Sequence, residues 1–266
     1  MRVAVVGHVE WCEFLRVERI PGPGEIVHTF ERWEEPAGGG AVAAVQLARL
    51  NGECLLLTAL GGDELGRRTQ DELERLGVDV RTAPTEEPQR RAIVQVDEVG
   101  ERTITVIGQK LVPRGASPTL RWRELERVDA VFFVSGDDEA LRLARRARVL
   151  VATPREPPTL KDAGVELDAL VGSGEDESER YHAGDLEPPP RLVVATAGAL
   201  GGWAQPGGPY RAAQLPGPVE DTYGAGDSFA AGLTYALGQG DAPEEALAFA
   251  AACGAEALTR RGAHGA

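Results

Sequence analysis

Lysine is nearly missing from this chain. Of its 28 basic residues only Lys110 and Lys161 are lysines; the rest are arginines. Neither lysine follows a glycine, so there is no GxxxxGK[ST] segment and no P-loop nucleotide site. A lysine-centred Schiff-base mechanism has equally little to work with. Cysteine is scarce too. Cys12, Cys54 and Cys253 are an odd number without a CxxC pair, which suits a reducing compartment and offers no metal pattern. The histidines are scattered, which argues against zinc. No run of about 18 apolar residues could span a bilayer. The first residues read as a strand (Val3-Ala4-Val5-Val6-Gly7) and not as a signal-peptide core. A cytoplasmic protein is therefore expected, with no membrane partner. Basic excess is lacking as well: 28 basic against 42 acidic residues leave a net charge of −14. Nucleic acid and anionic membranes want a basic face, so neither is an expected partner. A local nest of backbone N–H groups can still hold an anion on such a protein.

What is present is the composition of an ordinary globular chain, with 42% hydrophobic and 26% charged residues. Its 266 residues suffice for one α/β domain with a small appendage. Short apolar runs predict buried strands at 3–7, 54–60, 130–134, 149–152, 167–171 and 192–196. Further strands are expected at 13–17 and, more weakly, at 26–32, on either side of the Pro21-Gly22-Pro23-Gly24 turn. Helical spacing predicts helices at 41–50, from Asp63 to Leu76, at 137–146, 224–237 and 243–260. The alternation of strand and helix implies a doubly wound, mostly parallel sheet. Residues 91–97 and 101–107 read as a hairpin standing off that body, and 202–205 with 210–215 as a late hairpin. The proline-rich stretches 154–158 and 188–190 read as loops.

The stretch with the most chemistry is Asp221-Thr222-Tyr223-Gly224-Ala225-Gly226-Asp227. Glycines on both sides of Ala225 let the backbone curl tightly before an apolar helix begins. Unpaired amides and the positive end of the helix dipole then meet at one point, which suits a phosphate. Asp227 beside that point is either a general base for a substrate hydroxyl or a plain helix cap.

This stretch resembles the DTxGAGD signature of the ribokinase family, the PfkB carbohydrate kinases. Four other segments resemble that family. They are Gly7 with the Pro21-Gly22-Pro23-Gly24-Glu25 turn, Gly38-Gly39-Gly40 with Ala48-Arg49-Leu50-Asn51-Gly52, Leu60-Gly61-Gly62-Asp63 with Gly66, and Thr259-Arg260-Arg261-Gly262-Ala263 near the end. The resemblance implies a single ribokinase-like domain over 1–266, with a small β lid built from about 13–35 and 90–108. The lid would cover the substrate and support a homodimer. The resemblance also implies an ATP-dependent kinase of a sugar or sugar-like alcohol. Asp227 would be the base, with Gly224, Ala225 and Gly226 as the anion hole. ATP would lie against Thr196, Gly198, Gly201, Asp221, Thr222 and Gly262, with Mg²⁺ helping to neutralise its phosphates. Substrate would meet Glu10, Gly38, Gly39, Gly40 and Asp227. A monovalent cation such as K⁺ would sit by Asp221 and the 259–262 loop.

The chain departs from the family pattern at three places. Ala43 stands where the family has a sugar-binding asparagine, and Glu10 and Cys12 stand at its early Asp or Asn ligands. Ser173-Gly174-Glu175-Asp176 replaces the NxxE motif, so that Asp176, with Glu175 as competitor, takes the metal-orienting position. Fewer polar groups predict a less hydroxylated, nucleoside-like acceptor. His8, Trp11 and Trp33 are further pocket candidates, and Arg90 and Arg91 could meet an anionic substrate. The alternative from another class is a degenerate kinase fold that binds a ligand and regulates. A Rossmann oxidoreductase lacks its GxGxxG after the first strand.

Overall fold

The computed structural model describes residues 1–265. Strand β1 (Val3–Val6) is apolar and buried at every position, as a strand covered on both faces must be. It lies between β4 (Cys54–Leu60) and β8 (Ala130–Phe133), parallel to both. Beyond β4, β5 (Val78–Pro84) forms one edge. Beyond β8 come β9 (Val149–Ala152), β10 (Ala169–Ser173) and β11 (Val193–Thr196), all parallel. The hairpin of β12 (Gly202–Gln205) and β13 (Gly208–Tyr210) closes the other edge antiparallel. The order is β13-β12-β11-β10-β9-β8-β1-β4-β5.

Alternate residues of β1 enter opposite cores. Val3 and Val5 pack with α1 (Gly39–Asn51), α5 (Ala225–Gln239) and α6 (Pro243–Ala257). Ala4 and Val6 pack with α3 (Asp138–Ala144) and α4 (Pro157–Ala163). α2 (Glu64–Arg75) is capped by Asp63, whose side chain accepts from the Gly66 amide at 2.9 Å. Small residues let α5 and α6 approach closely: a Cβ on Gly232 would lie 2.8 Å from Cys253 Sγ.

A second sheet stands beside this body in the order β3-β2-β6-β7. It is made of β2 (Glu10–Val17), β3 (Thr29–Ala37), β6 (Arg91–Val96) and β7 (Arg102–Ile107). Its inner face carries Cys12, Phe14 and Val94, packed on Val42 and Tyr223. β7 is exposed throughout.

Several expectations are corrected. β2 begins at Glu10, three residues early, because Glu10 already pairs with Ala37. β3 is displaced toward the C-terminus from the expected 26–32, and it accommodates Pro36 on a sheet edge, where a missing N–H costs little. α1 starts at Gly39, two residues before the expected 41, because Gly39 and Gly40 take up the helix where its start packs against the loop after β1. β5 was missed: its alternation of Val78 and Val80 with Asp79 and Arg81 runs straight on from the Gly77 helix stop. The proline stretch at 154–158 opens α4, with proline at the first helical position, where its absent N–H has no partner to lose. The last strand is 208–210, not 210–215.

His264 is buried, with Nε2 2.6 Å from the Pro36 carbonyl. Burial pushes its pKa down to about 4. The folded state therefore binds this proton later than the unfolded chain does. Its contribution is full above the unfolded value of 6.5 and is lost as the pH falls toward 4. Across that window the wild type should lose about 3 kcal/mol more stability than His264→Gln, read from urea unfolding at each pH. Parallel stability curves for the two proteins would refute this.

Candidate active site

The C-terminal ends of the parallel strands meet the second sheet, and the polar groups converge there. After β1 the chain passes Gly7 and His8. A Cβ on Gly40, at the start of α1, would lie 2.5 Å from the His8 carbonyl, so only glycine lets α1 start against this loop. Gly38, at φ 81°, caps α1 and donates its N–H to Tyr223 Oη at 3.0 Å. Gly39 lies under the site's carboxylate: a Cβ there would be 3.0 Å from Asp227 Oδ1 and 3.6 Å from Arg155 Nη1.

Asp227 is in the first turn of α5, with its side chain 16% exposed. Gly224 caps that helix at φ 76°, and a Cβ there would meet Val42 at 2.8 Å. Gly226 is exposed, and no atom lies within 4 Å of where its Cβ would be. The first turn of α5 therefore has open space at Gly226, beside the Asp227 carboxylate.

Arg155, just after β9, binds the carboxylate: Nη1 lies 3.2 Å from Asp227 Oδ1, and Nε lies 2.6 Å from Glu179 Oε1. Its pKa is raised, first by Asp227 and then by Glu179 against the cost of burial. Glu179 is buried and also accepts from the Ser173 amide at 2.9 Å. Neither Arg155 nor Glu179 was singled out from sequence. The signal available was the position of Arg155 directly after a buried strand, at the sheet end where ligands bind.

Glu10 forms a close pair with Arg90, Oε1 to Nε at 2.8 Å, yet Arg90 Nε has no aligned acceptor and is buried. Burial raises the Glu10 pKa, against Arg90 and Lys110. Lys110 pairs with Glu156. His8 is buried, with Nδ1 3.0 Å from Ser135 Oγ, and its pKa is pushed well down by burial and then by Lys110, Arg90 and Arg155. It is a neutral, packed histidine in a field of three cations.

The other candidates fall in different places. Cys12 supports the loop from beneath, 3.6 Å from Tyr223 Oη, with its thiol pushed up to about 12 by burial. Ala43 is fully buried in the core. Trp11 is covered by Arg68 at 4.3 Å, and Trp33 stacks on Phe14 at 5.0 Å, so both rings serve packing. Thr196 and Gly198 border the Ser173–Asp176 loop: Gly174 donates to the Thr196 carbonyl at 2.7 Å, and a Cβ on Gly198 would lie 4.0 Å from Glu175 Oε1. Gly201, at φ 92°, is tight against the Tyr210 carbonyl. The Thr222 hydroxyl donates to Gly100 O at 3.1 Å and accepts from Arg102, tying this segment to the second sheet. Asp221 is buried and accepts from the Gly262 amide at 3.2 Å. Asp176 is exposed, and its carboxylate caps the turn at Ser178. Among the described residues no cluster of three or more His, Cys, Asp or Glu side chains could hold a metal alone. A cavity of about 640 Å³ lies away from this site, at the opposite strand ends by Arg2, Cys54 and Val128.

This fold, with a glycine-capped helix start and a carboxylate at the ends of its parallel strands, is that of an ATP-dependent sugar kinase. The chain belongs to the pfkB family of carbohydrate kinases, which matches residues 1–146 and 159–266. It is 33% identical to an ATP-dependent ribose-1-phosphate kinase of Halopiger xanaduensis, over 100% of this chain and 95% of the relative. It is 29% identical to an aminoimidazole riboside kinase of Salmonella typhimurium, over 86% and 83% of the two chains. Among solved structures, ribokinase from Thermotoga maritima superposes with a TM-score of 0.77 at 23% identity, covering 99% of this chain and 95% of that one. By this family and its named relatives the protein is an enzyme, an ATP-dependent sugar kinase.

Proposed function

We propose that this kinase phosphorylates a hydroxyl of a sugar that already carries a phosphate. Three cations carry this reading: Arg90, paired with Glu10, Lys110, paired with Glu156, and Arg155, paired with Asp227 and Glu179, gather around the buried His8. Arg90, paired with Glu10 just before β6, carries a planar guanidinium of the kind that suits a phosphate oxygen. The Halopiger relative, named for ribose 1-phosphate, supports the same class. The nucleoside-like acceptor expected from the lost polar groups is less well supported, because Trp11 is covered and offers no apolar wall.

Asp227 takes the proton of the attacking hydroxyl. The amides of Gly224, Ala225 and Gly226 and the α5 dipole stabilise charge on the transferring phosphoryl group. Arg155, anchored by Glu179, orients Asp227 before substrate arrives and adds positive charge beside the transfer path. ATP lies across Thr196, Gly198, Gly201 and Thr222. Mg²⁺ bound with the nucleotide would supply charge neutralisation at its phosphates, and Asp176 and Glu179, in the loop after β10, would be the carboxylates that orient it. A monovalent cation lies by Asp221 and Gly262. Asp221 is buried there and accepts from the Tyr223 and Gly262 amides. The second sheet acts as the lid of one 1–266 domain, and the exposed Ile104, Val106 and Ile107 on β7 support a homodimer through it. Buried, unpaired cysteines fit a cytoplasmic setting.

Kinetics over ribose, fructose, nucleosides and pentose and hexose phosphates test the reading. A sugar phosphate should lead in kcat/KM by roughly tenfold or more, and a neutral sugar in first place would contradict it. A second test concerns the anion hole. Gly226→Val adds bulk where the free protein has room, so Tm should stay within a few degrees while kcat/KM falls by roughly tenfold or more. Unchanged turnover would move the phosphate site elsewhere.

A further inference from the structure

The segment from Glu220 to Tyr223, which leads into Gly224, is held from two sides. On the side of the main body, Glu220 and Asp221 donate their amides to the Leu258 carbonyl, at 2.9 and 3.4 Å. From the other side the second sheet grips it. Arg16, on β2, donates to the Glu220 carbonyl at 2.8 Å. Arg102 opens β7, and a single nitrogen, Nη1, donates to both the Thr222 carbonyl and Thr222 Oγ1, at 2.7 Å each. The Thr222 hydroxyl passes its own proton to the Gly100 carbonyl at 3.1 Å, in the hairpin turn beside Arg102. The Arg102 guanidinium also lies 5.8 Å from the centre of the Tyr223 ring, which meets Phe14 of β2 edge-on at 5.1 Å.

This grip bears on the geometry of the turn that follows. A peptide unit is planar, so fixing the Thr222 carbonyl fixes the Tyr223 amide on the same plane. That amide donates to Asp221 Oδ1 at 2.8 Å. The next plane along carries the Gly224 amide, the first of the anion hole. Gly224, at φ 76°, has no Cβ to restrict it, so the turn depends on its neighbours for a fixed direction. The bonds from Arg102 are charge-assisted, and such bonds are roughly twice as strong as neutral ones. Amides stabilise a transferring phosphoryl group best when they are aimed before the reaction begins.

We propose that Arg102 is a positioning residue for phosphoryl transfer. It holds the 222–224 turn so that the amides of Gly224, Ala225 and Gly226 point at the transferring group, and it makes that aim depend on the place of the second sheet. This rests on the reading of those amides as the anion hole and adds to it a residue more than 100 positions away in the chain. Arg102 touches neither substrate nor nucleotide in this role, and it acts through Thr222.

The test is steady-state kinetics of the full-length protein with ATP and ribose 1-phosphate, or ribose should it be the faster acceptor, well below Tm. Arg102→Met removes both bonds and keeps the length of the stem. Its kcat should fall roughly tenfold or more, because a misplacement of about 1 Å originating outside the chemistry costs up to 10²-fold. Its KM for the acceptor should stay within about threefold. Arg102 is exposed, so Tm should move by no more than a few degrees. Arg102→Lys supplies one ammonium that can serve both acceptors as Nη1 does, and it should return kcat to within about threefold of the wild type. Arg32→Met removes another exposed arginine of the same sheet, paired with Glu13 and Glu34, and should leave kcat within about twofold. Wild-type kcat in Arg102→Met overturns the proposal, as does a loss confined to KM. An equal loss in Arg32→Met, or a lysine variant no faster than the methionine one, also overturns it. Gly226→Val separates this from the anion-hole reading. Loss in Gly226→Val with full activity in Arg102→Met overturns the role of Arg102 alone, whereas full activity in Gly226→Val overturns both.

Discussion

Asp227→Asn is expected to lower kcat by roughly 10²-fold or more, the scale of general-base catalysis. The asparagine is isosteric and can still accept from Arg155, which lies 3.2 Å from Oδ1 in the native protein. The first-turn amides of α5 are unaffected, so nucleotide affinity, read by calorimetry, should change by less than about threefold. Only the capacity to take a proton is lost. The loss should therefore appear in kcat at saturating acceptor. Wild-type turnover by this variant would remove Asp227 from the chemistry. A loss confined to KM would make it a binding group only.

Arg90→Gln is expected to separate phosphorylated from neutral acceptors. Arg90 is held at the lid's edge with its side chain 16% exposed, and its counter-charge is Glu10 at 9%. A charge-assisted contact to a phosphate in so dry a setting is strong, and its removal typically costs a few kcal/mol. The expected result is a fall of roughly 10²-fold in kcat/KM for a sugar phosphate, mostly through KM, with less than about threefold change for a neutral sugar. The variant also leaves Glu10 buried without its partner. Double substitution Arg90→Gln with Glu10→Gln controls for this: it should restore stability without restoring affinity for the phosphate. Equal losses for both acceptor types would mean that Arg90 only shapes the site.

How much of this was legible depended on whether the signal was local. The Asp221–Asp227 stretch announced a tight turn into a helix because glycine spacing and the following apolar run are properties of adjacent residues. Strands β4 and β9 were readable to the residue, since continuous apolar runs between breakers leave little choice. β5 was not, because its polar residues mark an edge strand that only the finished sheet defines. The site's second carboxylate shows the same limit. Asp176 matched the expected spacing, but its side chain closes a local turn, while Glu179 three residues on reaches Arg155. Arg155 itself sits among prolines that read as loop and start a helix instead. The pairings Arg155 with Asp227 and Glu35 with the Ala263 amide span 72 and 228 residues, and no pattern along the chain encodes them. The tryptophans misled for a related reason: an aromatic beside a predicted pocket is as easily absorbed by an arginine or another ring as left open to a ligand.

The most direct measurement is phosphorus NMR of the purified enzyme with ATP, Mg²⁺ and K⁺, supplied in turn with ribose and with ribose 1-phosphate. The expected result is ADP formation matched one-to-one by a new phosphomonoester signal from the 1-phosphate acceptor, whose original phosphate resonance is retained on the product, with ribose consumed at least tenfold more slowly. Consumption of ribose at an equal or greater rate would contradict the proposed acceptor, and absence of any transfer from ATP to either would contradict the proposed reaction itself.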